Sequence, residues 1–395
     1  MAITDKEQGV WELDQVYNKI KSGGIWNYTG QTANMTWGQN SYGYRGLNDV
    51  VVRSSPVQLP GSWNIHQGRV QPSVTLATNS DGELFSWGGN WYGTCGLNDE
   101  VHRSSPTQVG TDTTWSTTRE KNMCVGDVSI AVKTDGTMWS WGRNMVGVLG
   151  HNEGGYPGVM RSSPTQIGSA DNWSAVGAAG ADNILALKPT GELFSWGFNY
   201  WGYLGQNDRV SYSSPNQIPG TTWSKLAGGA SVKMAQKTDG KLWMWAYNAY
   251  GQLGQNDRVN RSTPVAVGAE TDWTSFDNND YAAAAINTSG ELYTLGYNTL
   301  GFLGHNDRIS HSSPNQIPGT NWSEVVVGGS GNTNTMMMGI KSDSSLWTWG
   351  ANYTGMLGHN KSGSDQSGLS SPTQIPGTWS EPRGGMYGCY AKASL

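Results

Sequence analysis

LFSWGFNYWGYLGQNDRVSYSSP, Leu193 to Pro215, holds two adjacent aromatics, Tyr200 and Trp201, a set of spaced glycines and a charged Asp208-Arg209 end. Alone it reads as a ligand site. Its parts recur along the chain, and that recurrence decides the fold. Ser213-Ser214-Pro215 has copies ending at Pro56, Pro106, Pro164, Pro264, Pro314 and Pro372, so the prolines lie 50, 58, 51, 49, 50 and 58 residues apart. Trp196 has sisters at Trp37, Trp87, Trp141, Trp245 and Trp349, with Leu295 standing in once. A second tryptophan follows each proline, at Trp63, Trp115, Trp173, Trp223, Trp273, Trp322 and Trp379. A fixed period of about 50 residues marks a repeat architecture.

One unit reads as strands. Asn183 to Lys188 is an apolar run of strand length, and Pro189-Thr190-Gly191 is a turn, with Thr134-Asp135-Gly136 and Thr238-Asp239-Gly240 in sister units. Asp-Gly between two such runs signals a hairpin. Glu192 to Trp196 is the second strand, SSPNQI a short third and TTWSKL a fourth. Proline suits an edge or a strand start. Four strands of about five residues, with their turns, fill about 50 residues. Seven such units suggest a β-propeller. The chain ends MYGCYAKASL, which aligns with the strand before the turn, while the first unit starts near its second strand at Asn34. The expectation is therefore an all-β fold: a closed seven-bladed β-propeller of four-stranded blades over residues 26–395. Its C-terminal strand pairs into blade one and removes a free edge.

The pattern L-W/F-S-W-G-x-N-x-x-G-x-L-G-x-N-D, followed by S-P and W-S-x-V, resembles the regulator of chromosome condensation repeat over about residues 26–395. The resemblance implies a seven-bladed propeller. It also implies kinship with nucleotide-exchange factors for a small GTPase, which act through an inserted wedge and basic chromatin contacts. The sequence shows no obvious wedge insertion and no basic tail. Kelch repeats share the period but are built around a double glycine.

Composition narrows the function. The 395 residues include 55 glycines and 20 tryptophans, only 14% are charged, and the net charge is −5. This is not a disordered profile. No run of Lys or Arg points to nucleic acid. Cys95, Cys124 and Cys389 are far apart, which argues against a zinc site or a disulfide framework. No GxSxG, HExxH or triad spacing is present. No catalytic residue, metal or cofactor is expected, and the chain reads as a non-enzyme. It has neither an apolar signal-peptide region nor an apolar run of about 18 residues to span a membrane.

The glycines of the opening stretch, Gly202 and Gly205, recur in every unit and read as backbone positions. Asp208 recurs as Asp49, Asp99, Asp257 and Asp307, with arginines following at Arg53, Arg103, Arg161 and Arg261. Carboxylate pairs, Ca²⁺ ligands and Asp/Arg clamps all fit that pattern, and the clamp is favoured. His151, His305 and His359 stand where Gln206 and Gln255 stand in other units, which argues for hydrogen bonding. What varies from blade to blade is more informative. The residue after the loop Asn is Trp91, Tyr200 or Tyr353 in three units, and the next is Tyr42, Tyr92, Trp201 or Tyr250. Aromatics on loops of one face suit stacking on sugar rings or on a protein surface; the competing reading is packing between blades. The candidate contact residues are Trp91, Tyr92, Tyr200, Trp201, Tyr353 and, in a longer loop of blade three, Tyr156. Blades three and seven carry four extra residues there, and such insertions often map to a binding face.

Residues 1–25 stand outside the repeat. Trp11, Leu13, Val16, Tyr17 and Ile20 fall on or beside a helical stripe, so a short amphipathic docking helix is expected. GVWELDQVYNKIKSG resembles the N-termini of virion-associated proteins of marine tailed phages. That resemblance makes the leading expectation a non-enzymatic virion structural protein of tail or capsid surface, made in a host cytoplasm. Its arm would bind other virion proteins, and its propeller would bind a host receptor or glycan, with homo-oligomers in the particle. Two alternatives are kept. One is a cellular protein-interaction propeller, such as a small-GTPase exchange factor. The other is a glycan-active enzyme, which needs two acids about 5–10 Å apart lining the central mouth.

Overall fold

The computed structural model describes residues 32–66, 74–118, 121–154, 158–178, 182–229, 231–329, 334–361, 368–385 and 388–394. The expected docking helix, with Trp11, Leu13, Val16, Tyr17 and Ile20, lies outside them. Among the described residues there is no α-helix.

Seven four-stranded antiparallel sheets follow one another along the chain. Sheet four is typical: Ala175–Ala178, Asn183–Leu187, Leu193–Gly197 and Tyr212–Ile218, in that order across the sheet. The second strand carries the apolar run and is buried throughout. First strands of neighbouring sheets lie against each other: Trp223–Gly228 touches Ala175–Ala178 and Trp273–Asn278, and Trp322–Gly328 touches Trp273–Asn278 and Thr378–Gly384. These strands therefore ring the axis, and the Ser-Ser-Pro strands form the rim.

The repeat read from the sequence is offset from the sheet by one strand. TTWSKL was expected to close its own unit, but Trp223–Gly228 opens the next sheet. The physical reason is Pro215. A strand that lacks a backbone N–H at its centre ends a ladder, so the chain leaves the rim and crosses to the axis. The same offset governs sheet one. It takes two C-terminal strands, Thr378–Gly384 and Gly388–Ser394, beside Thr32–Gly38 and Arg53–Gln58. Thr32–Gly38 pairs with Gly388–Ser394 in unbroken register from Thr32 against Ser394 to Gly38 against Gly388.

Sheets are joined through the repeated residues. Trp196 is fully buried and its indole N–H donates 2.8 Å to Val148 O in the loop of sheet three. Trp37, Trp87, Trp141 and Trp245 make the same bond to Met356, Tyr44, Thr94 and Tyr203. Each indole needs the glycine beneath it: a Cβ on Gly150 would lie 2.9 Å from Trp196 Nε1. The other loop glycine meets the rim strand of the next sheet. Gly202 has φ +79°, and a Cβ there would lie 2.5 Å from Ser262 Cα. Beside it, Asn207 N–H donates 2.9 Å to Ser262 O, and every other loop repeats that bond.

Gly202→Ala is expected to destabilise by roughly 2–5 kcal/mol, combining a left-handed φ with overpacking against backbone. Gly319 has φ +102° but nothing within 4 Å of its added Cβ. Gly319→Ala should cost only about 1–2 kcal/mol. Urea unfolding midpoints check the contrast; equal losses would remove the joint's claim on Gly202.

Candidate interaction surface

The loop after the third strand and the short turn between first and second strands emerge at one end of the propeller. Phe198 N–H, at the start of the former, donates 2.7 Å to Asp182 O in the latter. Asn199 organises the loop of sheet four. Its Oδ1 accepts from Leu204 N–H at 2.9 Å, and its Nδ2 donates to Asp208 Oδ1 at 2.9 Å. Asp208 accepts from Val210 N–H at 3.0 Å and from the Tyr212 hydroxyl at 2.8 Å. Other sheets replace that tyrosine with arginine: Asp49–Arg53 and Asp99–Arg103 at 2.6 Å, Asp257–Arg261 at 2.5 Å, and Glu153–Arg161 at 2.8 Å. The Val259 amide and the Arg261 guanidinium hold Asp257 below the usual carboxylate range. The repeated acids are loop clamps. Among the described residues no group of three or more His, Cys, Asp or Glu could hold a metal ion.

The histidines equivalent to glutamine are structural. His151, His305 and His359 Nε2 lie 3.0, 2.9 and 2.9 Å from Ser140, Thr294 and Thr348 hydroxyls. Gln206 Nε2 donates 3.2 Å to Ser195 Oγ in the same place.

The candidate aromatics fall into separate groups. Trp91 is 36% exposed and packs edge-on to Tyr42 at 4.4 Å and to His102 at 4.7 Å, joining the loops of sheets one and two. Tyr92 turns away with φ +64°, under Arg143 at 5.0 Å. Tyr200 is 56% exposed and meets Trp201 at 4.7 Å and Phe198 at 6.1 Å. From Trp201 the rings continue to Tyr247 at 5.9 Å, Tyr250 at 6.2 Å and Tyr297 at 4.7 Å. This shelf crosses sheets four, five and six. Tyr353 is half-buried and lines a separate pocket of about 200 Å³ with Leu300 and Arg308. Tyr156 lies outside the described residues.

Phe198, Tyr247 and Tyr297 were missed from the sequence. They fill the variable position of W-G-x-N, where the other repeats have Gln39, Gly89, Arg143 and Ala351. Three aromatics at one position of consecutive repeats were the available signal.

Beneath the shelf, Asp277-Asn278-Asn279-Asp280 replaces the glycine-rich turn of sister repeats. Asn278 donates 3.0 Å to Val232 O, Asn279 donates 3.0 Å to Thr335 Oγ1, and Asp277 accepts from Val327 N–H at 2.9 Å. Asp280 accepts from Ser231 N–H at 2.6 Å. The turn thus pins sheet six to both neighbours and holds the shelf rigid. Lys233, fully buried, donates 2.9 Å to Gly229 O below Tyr203. Burial pushes its ammonium well below the ordinary lysine range, opposed by Asp280.

A cavity of about 540 Å³ runs along the axis between the first strands. Its lining holds Lys225, Arg383 and one carboxylate among the described residues, Glu324, which lies 4.0 Å from Arg383. Among the described residues the acid pair that a glycan-cleaving centre requires is not formed there.

The fold and loop joint define a circular propeller of the chromosome-condensation type. The RCC1-like domain model matches residues 34–389, and the chain belongs to that family. Protein RCC2 of Mus musculus is 36% identical over 107 residues, covering 26% of this chain and 20% of the relative. Ultraviolet-B receptor UVR8 of Arabidopsis thaliana is 32% identical over 110 residues, covering 28% and 24%. These matches span about a fifth to a quarter of each relative. Prp20p of Saccharomyces cerevisiae, a structure described with its binding to Gsp1p and histones, superposes with TM-score 0.77 at 18% identity over 92% of both chains. Human WBSCR16 also gives 0.77 at 18%, over 92% and 99%. At such identities the likeness is one of fold.

These relatives correct the leading expectation. A virion structural protein located in a phage particle was inferred from a short N-terminal resemblance. The family match spans nearly the whole chain, and the relatives come from mouse, plant, yeast and human. The short segment carried too few residues to outweigh it. The virion location and virion partners fall with that reading, and the findings favour the alternative, a cellular protein-interaction propeller. Among the described residues no helix is long and apolar enough to cross a membrane.

Burial holds His151, His305 and His359 below the ordinary histidine range, aided by Arg161, His311 and Lys361 respectively. The unfolded chain then takes up protons first, near pH 6.5. The stability these groups contribute is present above that pH and is lost as pH falls through their folded values. H151Q/H305Q/H359Q keeps the Gln206-type bond and should flatten the fall in melting temperature between about pH 7 and pH 5. An unchanged acid limb would assign it to other groups.

Proposed function

We propose that this chain is a non-enzymatic protein-interaction propeller whose loop face is the contact surface. The observation that carries this reading is the aromatic shelf from Phe198 to Tyr297, partly exposed and held on a rigid joint. Clustered Trp and Tyr on a rigid surface supply contact area at low entropic cost and dominate interface energetics. Tyr200 and Trp201 lead the contact set, with Trp91, Tyr92 and Tyr353 contributing from other loops; Tyr156 belongs to the same proposal. Residues 1–25 are proposed as an arm separate from the propeller, offering Trp11, Leu13, Val16, Tyr17 and Ile20 to a partner.

The exchange-factor form of this reading is favoured by the family match and by the kinship in fold with Prp20p. It is tested by nucleotide release from candidate small GTPases, where acceleration lost in Tyr200→Ala or Trp201→Ala would place the reaction on this face.

The broader reading is tested by proximity labelling in cells followed by pull-down with purified partner. Trp201→Ala should weaken the leading partner by about 10-fold or more, a hot-spot loss of ~1.4–4 kcal/mol. The melting temperature should stay close to wild type, because Trp201 is only half-buried on a loop. Undiminished binding in both Tyr200→Ala and Trp201→Ala would sink this face as the contact surface.

A further inference from the structure

We infer that the loop face of sheets four to six docks a protein segment in which carboxylates alternate with apolar side chains. This rests on the reading of the chain as an interaction propeller. It assigns the partner's chemistry.

The three loops that carry the shelf each hold an arginine. Arg209, Arg258 and Arg308 occupy one repeat position, directly after the clamp aspartate, in three consecutive sheets. The same position holds Val50, Glu100 and Gly154 in sheets one to three. The arginines are therefore confined to the sheets that also carry the shelf. Arg209 lies over the Trp201 ring at 5.9 Å. Arg308 shares its pocket with Leu300, the residue that matches Trp201 in its repeat. All three are exposed.

Their hydrogen-bond donors are not committed to ion pairs. The neighbouring aspartates are committed to loop bonds: Asp208 to Asn199 and Tyr212, Asp257 to Arg261, and Asp307 to Asn298 and Ile309 N–H. Among the described residues no ion pair includes Arg209, Arg258 or Arg308, whereas Arg53, Arg103 and Arg261 are all paired. The clamp aspartates balance the formal charge of these loops, so the face offers a carboxylate three exposed guanidinium donors beside an aromatic surface rather than a net positive charge. Guanidinium groups take carboxylates through two parallel hydrogen bonds. Trp, Tyr and Arg together are the residues that dominate interface energetics.

A phosphate polymer fits less well. The three loops, residues 198–210, 247–259 and 297–309, hold no lysine, and each arginine follows an aspartate. Nucleic-acid affinity grows with the number of phosphates neutralised, and three separated charges supply few. Isolated guanidiniums among rings match isolated carboxylates among apolar side chains.

The test uses the full chain and three fluorescein-labelled probes: a peptide of repeating Glu-Glu-Phe triplets, its Lys-Lys-Phe counterpart, and oligothymidylate of equal length. The acidic peptide should bind, weaken with salt, and lose at least about 10-fold in affinity in R209E/R258E/R308E, as expected when charge-paired contacts are reversed. That variant should melt with wild type, because its changes are exposed. Equal binding of the variant and wild type, or preference for the lysine peptide or oligothymidylate, would overturn the inference. The two readings separate with the partner from proximity labelling. A partner lost in Trp201→Ala but retained by the arginine variant would defeat the acidic-segment inference and leave the interaction propeller standing.

Discussion

The contact on which the rest depends is an indole seated on a glycine of the preceding loop. Trp196 covers Gly150, donates to Val148 O and is itself fully buried. A propeller sheet is hydrophobic on both faces, so it is stable only between two neighbours. Tryptophan supplies the needed area in one residue, and its N–H satisfies a loop carbonyl that would otherwise be buried without a partner. The glycine removes the Cβ that would strike the ring. Neither residue works without the other, which is why both recur. Leu295, the one substitution, sits over Gly254 and keeps the packing while giving up the hydrogen bond, and Trp349 sits over Gly304 with its indole N–H unbonded.

That joint leaves few positions free to vary. Within W-G-x-N-x-x-G-x-L-G-x-N-D the tryptophan, asparagine, glycines and aspartate are spent on packing, loop closure and clamping. The residue before the loop Asn and the two after it point away from those tasks, and the differences between blades collect there, whereas the later variable positions stay structural, with Val148 and Thr94 buried and Gln206 bonded to Ser195. The aromatic shelf is built from such positions in three consecutive repeats. The buried polar turn Asp277-Asn278-Asn279-Asp280 shows the same division from below. It ties sheet six to both neighbours and keeps the shelf from splaying.

Much of the fold was legible. Seven repeats spaced by about 50 residues, recurring turn signals and the matched chain ends correspond to seven four-stranded sheets with a shared first sheet. The offset of one strand was not read, although Pro215 and its sisters marked the rim. Of the site, Tyr200 and Trp201 were singled out and prove to be adjacent rings in an extended shelf. Trp91 and Tyr92, neighbours in sequence, turn to different loops because Tyr92 adopts a left-handed φ. Phe198, Tyr247 and Tyr297 were passed over because the motif was read for what it shares. The virion reading failed for a related reason: a short segment beside the repeat was allowed to speak for the whole chain.

The sequence alone determined the number of blades and the loop scaffold, and it favoured a structural role for the histidines and clamp acids. These follow from local chemistry repeated at a fixed period, which needs no knowledge of distant contacts. Tertiary structure alone decided which aromatics meet across blades, which arginines stay unpaired and where the Asp-Asn-Asn-Asp turn reaches. Residues about 50 positions apart in sequence become neighbours only when the ring closes, and no local pattern records the distance between their side chains.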